Sequence, residues 1–409
     1  MSGEVLRPIA IRTWPAQQRA IAPKYIAQGL AAVVAFIVAT LLLGQIIPSP
    51  TIPSNVVFIG PKNDYYQAHK DDYNVLFFGS SRVYNQIVPD VFDTSARAAG
   101  IAVNSYNFGV PAMRALDSTV LLEDALENPP ANLKWVFFET ILDKGYEPIP
   151  NARTQRAMYW HTWENTRLAA RYILMSEASM PEKAVLLASH LLPALYRQMN
   201  VGRLFAQVLP SEFSAEEREV AAQFTIAEGY SPLVDESDPK RQDFLASQAE
   251  YAAQVASLIE SDGSTDGAAA EATARSAAQS LADSTRLETT PSADAPPALA
   301  ANKQMLLAKI TQIIRAAGAE PIFIEPPSLD PDRDFRVALA QGEIDTLLAY
   351  KDPLRFPQLY QADQRFDSAH LNPTAAREFS RLLAQDFAQS LQTKSLQTKS
   401  LQTRSLQSK

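Results

Sequence analysis

The sequence predicts an α/β fold: a doubly wound, mostly parallel sheet, interrupted by a helical insertion and preceded by an N-terminal transmembrane helix. The runs Val75–Phe78 and Trp135–Phe138 are short and wholly apolar, which is typical of strands buried on both faces of a parallel sheet. Helical patterns alternate with these strands, and this alternation is typical of a sheet with helices on both faces. A separate uncharged run, residues 26–47, predicts the transmembrane helix.

The elements of the α/β domain are predicted in chain order. They are a short strand or packing segment at Asn55–Ile59, strand Val75–Phe78, a helix after Pro89, a strand near 103–107, a helix at 115–127, strand Trp135–Phe138, an amphipathic helix at Leu299–Ala317 ended by Gly318, and strand Pro321–Glu325. Each strand is bounded by turn residues or by a helical pattern, as a strand–helix–strand succession requires.

These elements divide the chain into segments. The expected segments are a cytoplasmic N-terminus (1–25), the transmembrane anchor (26–47), a linker (48–70), the first half of the α/β domain (71–150), a helical insertion (151–257), a flexible low-complexity loop (258–298), the second half of the α/β domain (299–389) and a disordered tail (390–409). The insertion is either a lid or substrate-binding wall, or a subdomain that only packs. The tail repeats a polar five-residue unit; extension of the last helix by a few turns is the alternative to disorder.

Composition limits the classes of function. The chain has 409 residues, of which 46% are hydrophobic, enough for one large domain with appended segments. A net charge of −8, with no basic stripe of interleaved aromatic residues, argues against a nucleic-acid partner. The absence of cysteine excludes disulfides, thiolate metal sites and a cysteine nucleophile.

The uncharged run at residues 26–47 is long enough to cross the ~30 Å hydrocarbon core of a bilayer. The charged residues that precede it are Arg7, Arg12, Arg19 and Lys24, against the single acid Glu4. Because positive residues stay on the cytoplasmic side, we expect a single-pass protein of the cytoplasmic membrane whose later residues face the periplasm. A cleaved signal peptide is the alternative, but its apolar region is usually shorter, and here a proline-rich spacer follows at 46–53.

Two motifs, far apart in the chain, carry the residue types of nucleophilic acyl transfer. Gly79-Ser80-Ser81 follows the first strand directly, and the glycine permits a sharp turn that leaves a serine hydroxyl at the carboxyl edge of the sheet. Asp367 and His370 lie three residues apart, before a C-terminal helix. A serine hydroxyl is a weak nucleophile until a base removes its proton, and the base needs a partner that fixes its tautomer. Ser81, His370 and Asp367 are therefore the candidate catalytic residues.

These motifs resemble those of the SGNH (GDSL-like) hydrolase superfamily. Gly79-Ser80-Ser81 stands where that family has Gly-Asp-Ser, and Asp367-Ser-Ala-His370 matches its Asp-x-x-His block. The resemblance covers roughly residues 70–145 and 300–390. It implies that Ser81 is the nucleophile, that His370 is the base oriented by Asp367, and that backbone N–H groups of Ser81 and Gly109 form an oxyanion hole.

One block departs from the family. Its third block, Gly-x-Asn-Asp, gives a side-chain amide to the oxyanion hole, whereas here Glu139 and Thr140 follow the strand Trp135–Phe138 and no asparagine is present. Losing one oxyanion donor typically costs about 10²–10³ in rate. Either another donor substitutes, with Thr140 as a candidate, or the chain is a poor hydrolase.

The remaining candidates each have a structural alternative. Ser80 is expected to satisfy a backbone N–H in the turn. Arg82 either binds an anion or forms a salt bridge, and Glu325 either borders the site or serves the fold. His161 either lines a sugar- or acyl-binding cleft or belongs to a buried aromatic cluster, and His190 is expected to pack within a helix.

The resemblance implies a membrane-anchored serine esterase or O-acyltransferase acting on acylated envelope or exported polysaccharide-type substrates, without a cofactor or metal. Anchored relatives with a similar first block are the D-alanyl transfer proteins of teichoic-acid pathways and the alginate O-acetyltransferases. The alternative is a non-catalytic, polymer-binding or scaffold protein that keeps the fold. The sequence identifies no protein partner.

Overall fold

Five parallel strands form the central sheet, in the order β2-β1-β3-β4-β5. A computed structural model of the chain describes residues 23–46, 56, 58–139, 142, 155–199, 227–263, 299–330 and 333–407. The strands are β1 (Val75–Phe78), β2 (Ser105–Asn107), β3 (Trp135–Phe138), β4 (Glu320–Glu325) and β5 (Leu347–Ala349). Val75 of β1 pairs with Ser105 on one side and with Trp135 on the other. The strand order therefore reverses at β1.

Helices cover both faces of this sheet. In chain order they are α1 (Pro23–Ile46), α2 (Ile59–His69), α3 (Ser81–Gln86), α4 (Pro89–Ala98), α5 (Ala115–Leu126), α6 (Gln155–Trp160), α7 (Trp163–Met175), α8 (Met180–Met199), α9 (Pro239–Gly263), α10 (Ala301–Ala316), α11 (Asp334–Ala340) and α12 (Pro373–Gln407). Short 3₁₀ turns lie at Lys70–Asp72, Pro357–Leu359 and Ala362–Gln364.

The alternation of side chains along β1 divides the core into two layers. Leu76 and Phe78 pack on one face, in a cluster that includes residues of α2, α5, α7 and α10. Val75 and Phe77 pack on the other face, with residues of α4 and α12. All four side chains are fully buried, as expected for an inner strand of a parallel sheet covered on both faces. The chain is thus an α/β protein, and its sheet is parallel throughout the described strands.

Strong apolar runs gave strands with the predicted bounds, and weaker patterns did not. β1 and β3 match the prediction, whereas β2 begins at Ser105 rather than near 103. The segment at 55–59 contributes packing, because Val56 is buried and Ile59 begins α2. β5 was not predicted, since Leu347–Ala349 is only three half-buried residues at the sheet edge.

The insertion is helical where the structure describes it. It comprises α6, α7, α8 and α9, and α9 continues to Gly263, beyond the predicted boundary at 257. Residues 200–226 and 264–298, the latter forming most of the predicted flexible loop, lie outside the described residues.

Of the two alternatives for the tail, the structure has extension of the last helix over residues 390–407, because α12 continues to Gln407. Leu391 packs against the buried cluster on the α12 side of the sheet. The Lys394 ammonium forms an ion pair with Glu320 and donates a hydrogen bond to Thr346 Oγ1 at 2.6 Å. The first copy of the repeat, residues 390–394, thus contacts the α/β domain through one apolar and one charged side chain. The polarity of the repeat did not predict these contacts.

The predicted transmembrane run falls within α1, apart from Ile47, which lies outside the described residues, as do the basic residues of 1–22. Over the part of the chain that the structure describes, no helix has the combination of length and hydropathy that crossing a membrane requires.

Candidate active site

Ser81 lies directly after the carboxyl end of β1, as the first residue of α3. Gly79 makes this tight turn sterically feasible, because a Cβ there would lie 2.5 Å from Val83 Cγ2 and 2.6 Å from Glu139 Oε2. Ser80 is the N-cap of α3, and its hydroxyl accepts a hydrogen bond from the Arg82 N–H at 3.3 Å. The structure thus gives Ser80 the expected structural position.

Asp367 and His370 occupy a short loop that precedes α12. An isolated bridge between Arg365 and Leu371 closes this loop, and the Phe366 N–H donates to the His370 carbonyl at 2.9 Å. One Asp367 carboxylate oxygen accepts the backbone N–H groups of Ala369 and His370, both at 2.7 Å. The carboxylate is therefore oriented by its own loop before it meets the imidazole.

The structure brings Ser81, His370 and Asp367 into one chain of hydrogen bonds. The Ser81 hydroxyl lies 2.8 Å from His370 Nε2, and His370 Nδ1 lies 2.9 Å from both Asp367 carboxylate oxygens. A carboxylate only accepts hydrogen bonds, so Nδ1 carries the proton and Nε2 is free to accept one from the serine. The side chains of His370 and Asp367 are 14% and 10% exposed, which leaves the imidazole accessible from solvent.

Burial and hydrogen bonding oppose each other at Asp367. Burial acts to raise the pKa of this carboxyl, but hydrogen bonds from the His370 ring and from the backbone N–H groups of Ala369 and His370 outweigh it. The net result is a pKa below the ordinary value. Asp367 is therefore ionised near neutral pH, as an orienting partner for an imidazole must be.

Gly109 does not offer its N–H in the way an oxyanion donor requires. That N–H donates to Asn107 Oδ1 at 2.8 Å, and the Gly109 carbonyl accepts from the buried Lys62 ammonium. A Cβ on Gly109 would lie 2.3 Å from the Tyr84 nitrogen, so the glycine is needed for close packing against α3. The resemblance could not reveal this, because the bond depends on the Asn107 side chain turning back on its own loop.

The Ser81 N–H differs from that of Gly109. It occupies the first position of α3, where a helical N–H has no partner within the helix, and it forms no hydrogen bond with the described residues. It is therefore available to an oxygen atom bound beside the Ser81 hydroxyl.

Glu139, at the position of the missing asparagine, supports the serine turn. Its carboxylate accepts the Ser80 N–H at 2.7 Å and lies 3.1 Å from Arg82 Nη2. Arg82 also donates to Ser328 Oγ at 3.1 Å. An ionised carboxylate cannot donate to an oxyanion, so Glu139 does not replace the asparagine amide. Thr140, the other candidate, lies outside the described residues.

The remaining candidates take their structural alternatives. Arg82 forms the salt bridge with Glu139, and Glu325 pairs with Arg336 at 3.1 Å. His161 is fully buried, stacks on Trp160 at 3.8 Å between ring centroids, and lies 3.0 Å from His190. Among the described residues, no cluster of three metal-ligating side chains is present.

Two arginines that support the Asp367 loop were missed by sequence reasoning. Arg241, on α9 of the insertion, donates to the carbonyls of Arg365 and Phe366 at 2.9 and 3.2 Å. Arg365 is fully buried and donates to the Ser368 carbonyl at 3.0 Å. Arginines bound to backbone carbonyls carry no local sequence signal, so neither could be found from the sequence alone.

The insertion also contacts the serine side of the site. The backbone N–H of Asn107 in β2 donates to the Glu228 carbonyl of the insertion at 2.9 Å. The insertion therefore forms a hydrogen bond with the edge strand of the sheet. The Ser231 N–H donates to the Tyr84 carbonyl on α3 at 3.2 Å, and the Asn85 amide returns a bond to the Ser231 carbonyl at 2.8 Å. The insertion thus braces α3 as well as the Asp367 loop.

No protein-family model and no curated protein matches the chain.

Proposed function

We propose that the protein is a serine esterase or O-acyltransferase that works through an acyl-enzyme on Ser81. The observation that carries this proposal is the unbroken hydrogen-bond chain from the Ser81 hydroxyl through His370 to Asp367. Ser81 and His370 lie 289 residues apart in the sequence. A serine, an imidazole and an ionised carboxylate in this order form the arrangement that nucleophilic acyl transfer requires.

In the proposed mechanism, the Ser81 oxygen attacks the carbonyl carbon of an ester while His370 Nε2 takes the hydroxyl proton. The resulting tetrahedral intermediate collapses, the ester C–O bond breaks, and the imidazolium returns its proton to the leaving alcohol. Asp367 stabilises the imidazolium and holds its tautomer. Water or an acceptor hydroxyl then attacks the acyl-enzyme by the same steps in reverse, giving hydrolysis or transfer.

The Ser81 N–H is proposed to donate a hydrogen bond to the oxyanion. Gly109 is not included, because its N–H is bonded to Asn107, and Glu139, which stands where the SGNH family has an amide, supplies no donor. Removal of one oxyanion donor typically costs about 10²–10³ in rate.

The strand order supports placing the chain among SGNH-like proteins. An order of 2-1-3-4-5 is that of the flavodoxin-like doubly wound sheets, in which ligands bind beyond the carboxyl ends of the strands where the order reverses. Ser81 follows β1, the strand at which the reversal occurs.

The envelope location is proposed from the sequence alone, through the uncharged run at 26–47 and the basic residues before it. An anchored catalytic domain outside the cytoplasm would act on acylated envelope or exported polysaccharide-type substrates.

The second candidate is a non-catalytic scaffold or polymer-binding protein. The features that favour it are the engaged Gly109 N–H and the carboxylate at Glu139, since both depart from a complete oxyanion hole.

Labelling by a fluorophosphonate probe tests the proposal, because the probe traps an activated serine. We expect label on Ser81 and its loss in Ser81→Ala, with aryl-ester hydrolysis or acetyl transfer falling about 10⁴-fold or more. Ser80→Ala is the matched control: it removes a cap worth about 1 kcal/mol of stability and should keep the label. Absence of label from folded wild-type protein would favour the scaffold instead, and label lost only in Ser80→Ala would move the nucleophile to Ser80.

A further inference from the structure

Helix α8 has an apolar outward face, in addition to the apolar and polar residues that it buries. Residues 184–196 contain no charged side chain and are bracketed by Lys183 and Arg197. Within this uncharged run, the exposed large side chains are between 36% and 51% exposed: Val185, Leu191, Leu192, Leu195 and Tyr196. Leu186, Ser189, His190 and Ala194 of this helix are buried. A surface helix of a soluble domain usually has an apolar stripe only against the core and polar residues on its outward face, so the apolar outward face of α8 is unusual.

The apolar face of α8 is not isolated. Helix α1 contacts α8, and α1 itself exposes large apolar side chains along its length, among them Ile26, Leu30, Val34, Phe36 and Leu42. Met175 and Met180, on either side of the turn between α7 and α8, are 41% and 73% exposed. Contiguous exposed apolar surface of this kind marks an interaction site in a folded protein.

We propose that α8 lies in the interfacial region of a lipid bilayer, beside α1, with its outward face against the acyl chains. This rests on the membrane anchor in the proposed function. Residues 184–196 are shorter than the about 20 residues needed to span a bilayer. An apolar run of this length is either a core helix or an interfacial segment. The exposure of its outer side chains excludes a core helix.

Lipid is the occupant that the neighbouring residues favour. The uncharged run of α1, if seated in hydrocarbon, brings acyl chains next to α8, which α1 contacts. Lys183 and Arg197 bound the uncharged run, and their side chains donate to the Leu174 carbonyl at 2.9 Å and to the Met158 carbonyl at 3.5 Å, so the run between them stays apolar. Tyr196 lies at the end of that run, the position at which aromatic side chains meet the headgroup level. In this arrangement the α/β domain contacts the bilayer through α8, in addition to its covalent link to α1 through the spacer.

The absence of cysteine makes a site-specific test simple, because one introduced thiol is unique. Leu191→Cys in the full chain is labelled with the environment-sensitive fluorophore nitrobenzoxadiazole and reconstituted in vesicles of equal parts phosphatidylcholine and phosphatidylglycerol. A second set of vesicles contains phosphatidylcholine brominated on its acyl chains, which quenches fluorophores that touch it. Ala249→Cys, exposed on the polar helix α9, is the matched control.

We expect the probe at 191 to emit at shorter wavelength in vesicles and to be quenched several-fold more by brominated lipid than the probe at 249. Leu195→Cys, one turn away, should behave like Leu191→Cys and provides the test if the first variant does not fold. Aqueous emission at both α8 positions would overturn the inference, and so would shielded emission without quenching, which would indicate a protein partner or a second copy. Fluorophosphonate labelling of Ser81 is read separately, so failure of the proposed chemistry leaves the lipid result interpretable.

Discussion

The side chain of Glu139 distinguishes this site from that of the resembled family. In the resembled family, an amide at this point of the sheet stabilises negative charge on the substrate. Here a buried carboxylate accepts the Ser80 N–H and faces Arg82, so its negative charge is satisfied within the serine turn. Breaking a buried ion pair of this kind costs about 3–5 kcal/mol. The position therefore contributes to the placement of Ser81 and not to the oxyanion.

The buried histidine pair makes the stability of the insertion depend on pH. Burial lowers the pKa of His161 to about 3, from the 6.5 that is usual for histidine. The unfolded chain thus binds a proton that the folded chain does not, so stability from this group is full above about pH 6.5 and falls as pH drops towards 3. Between pH 7 and pH 5 we expect a loss of about 2 kcal/mol in the free energy of unfolding.

Urea unfolding of the detergent-solubilised chain at pH 7 and pH 5 measures this loss. His161→Gln, which cannot take up a proton there, should show a smaller difference between the two pH values. His69→Gln, at an exposed histidine, should keep the wild-type difference. If His161→Gln retained the whole pH dependence, other groups would account for it.

Helix α9 positions the Asp367 loop from a distance in sequence. The Arg241 guanidinium bonds to two successive carbonyls immediately before Asp367, and these bonds link the insertion to the triad. Hydrogen bonds to a charged group are each worth about 1.5–3 kcal/mol. The insertion therefore contacts the Asp367 loop directly, and its role as a lid or a substrate-binding wall stays a prediction.

We expect Arg241→Met to lower kcat by up to about 100-fold, because a displaced Asp367 loop misplaces His370. KM should change little, since Arg241 does not contact the Ser81 hydroxyl side of the site. Glu236→Gln is the control: Glu236 is the exposed partner of Arg241, and its loss should alter kcat by less than about twofold. Steady-state kinetics on an aryl ester separate the two parameters. A rise in KM with unchanged kcat in Arg241→Met would assign Arg241 to substrate binding instead.

The elements that sequence could predict are those whose signal is local. Val75–Phe78 and Trp135–Phe138 are apolar without interruption, and their strands have the predicted bounds. The serine turn and the Asp367 loop were also predictable, since residue type and spacing define them. The bond from Gly109 to Asn107 and the reach of Arg241 were not, because each depends on side-chain direction or on contacts between distant segments. The continuation of α12 depends in the same way on Lys394 meeting Glu320.

At the scale of the whole molecule, the proposed activity and the proposed location support each other physically. The His370 side chain is 14% exposed, so the triad can be reached from solvent. An anchor and an interfacial α8 would hold the triad at a constant distance from the membrane. The effective concentration of the active site relative to substrates at the same membrane surface would then be high.

The orientation of the chain is the last prediction, and it follows from the charges before residues 26–47. Because four basic residues precede the run, residues 48–409 should lie outside the cytoplasm. A reporter that is active only after export, fused after residue 60, should be active, whereas the same reporter fused after residue 25 should not. A reporter active only in the cytoplasm should give the opposite pair of results. Strong cytoplasmic activity at residue 60 would reverse the orientation, and a mature N-terminus near residue 48 would replace the anchor with a cleaved signal peptide.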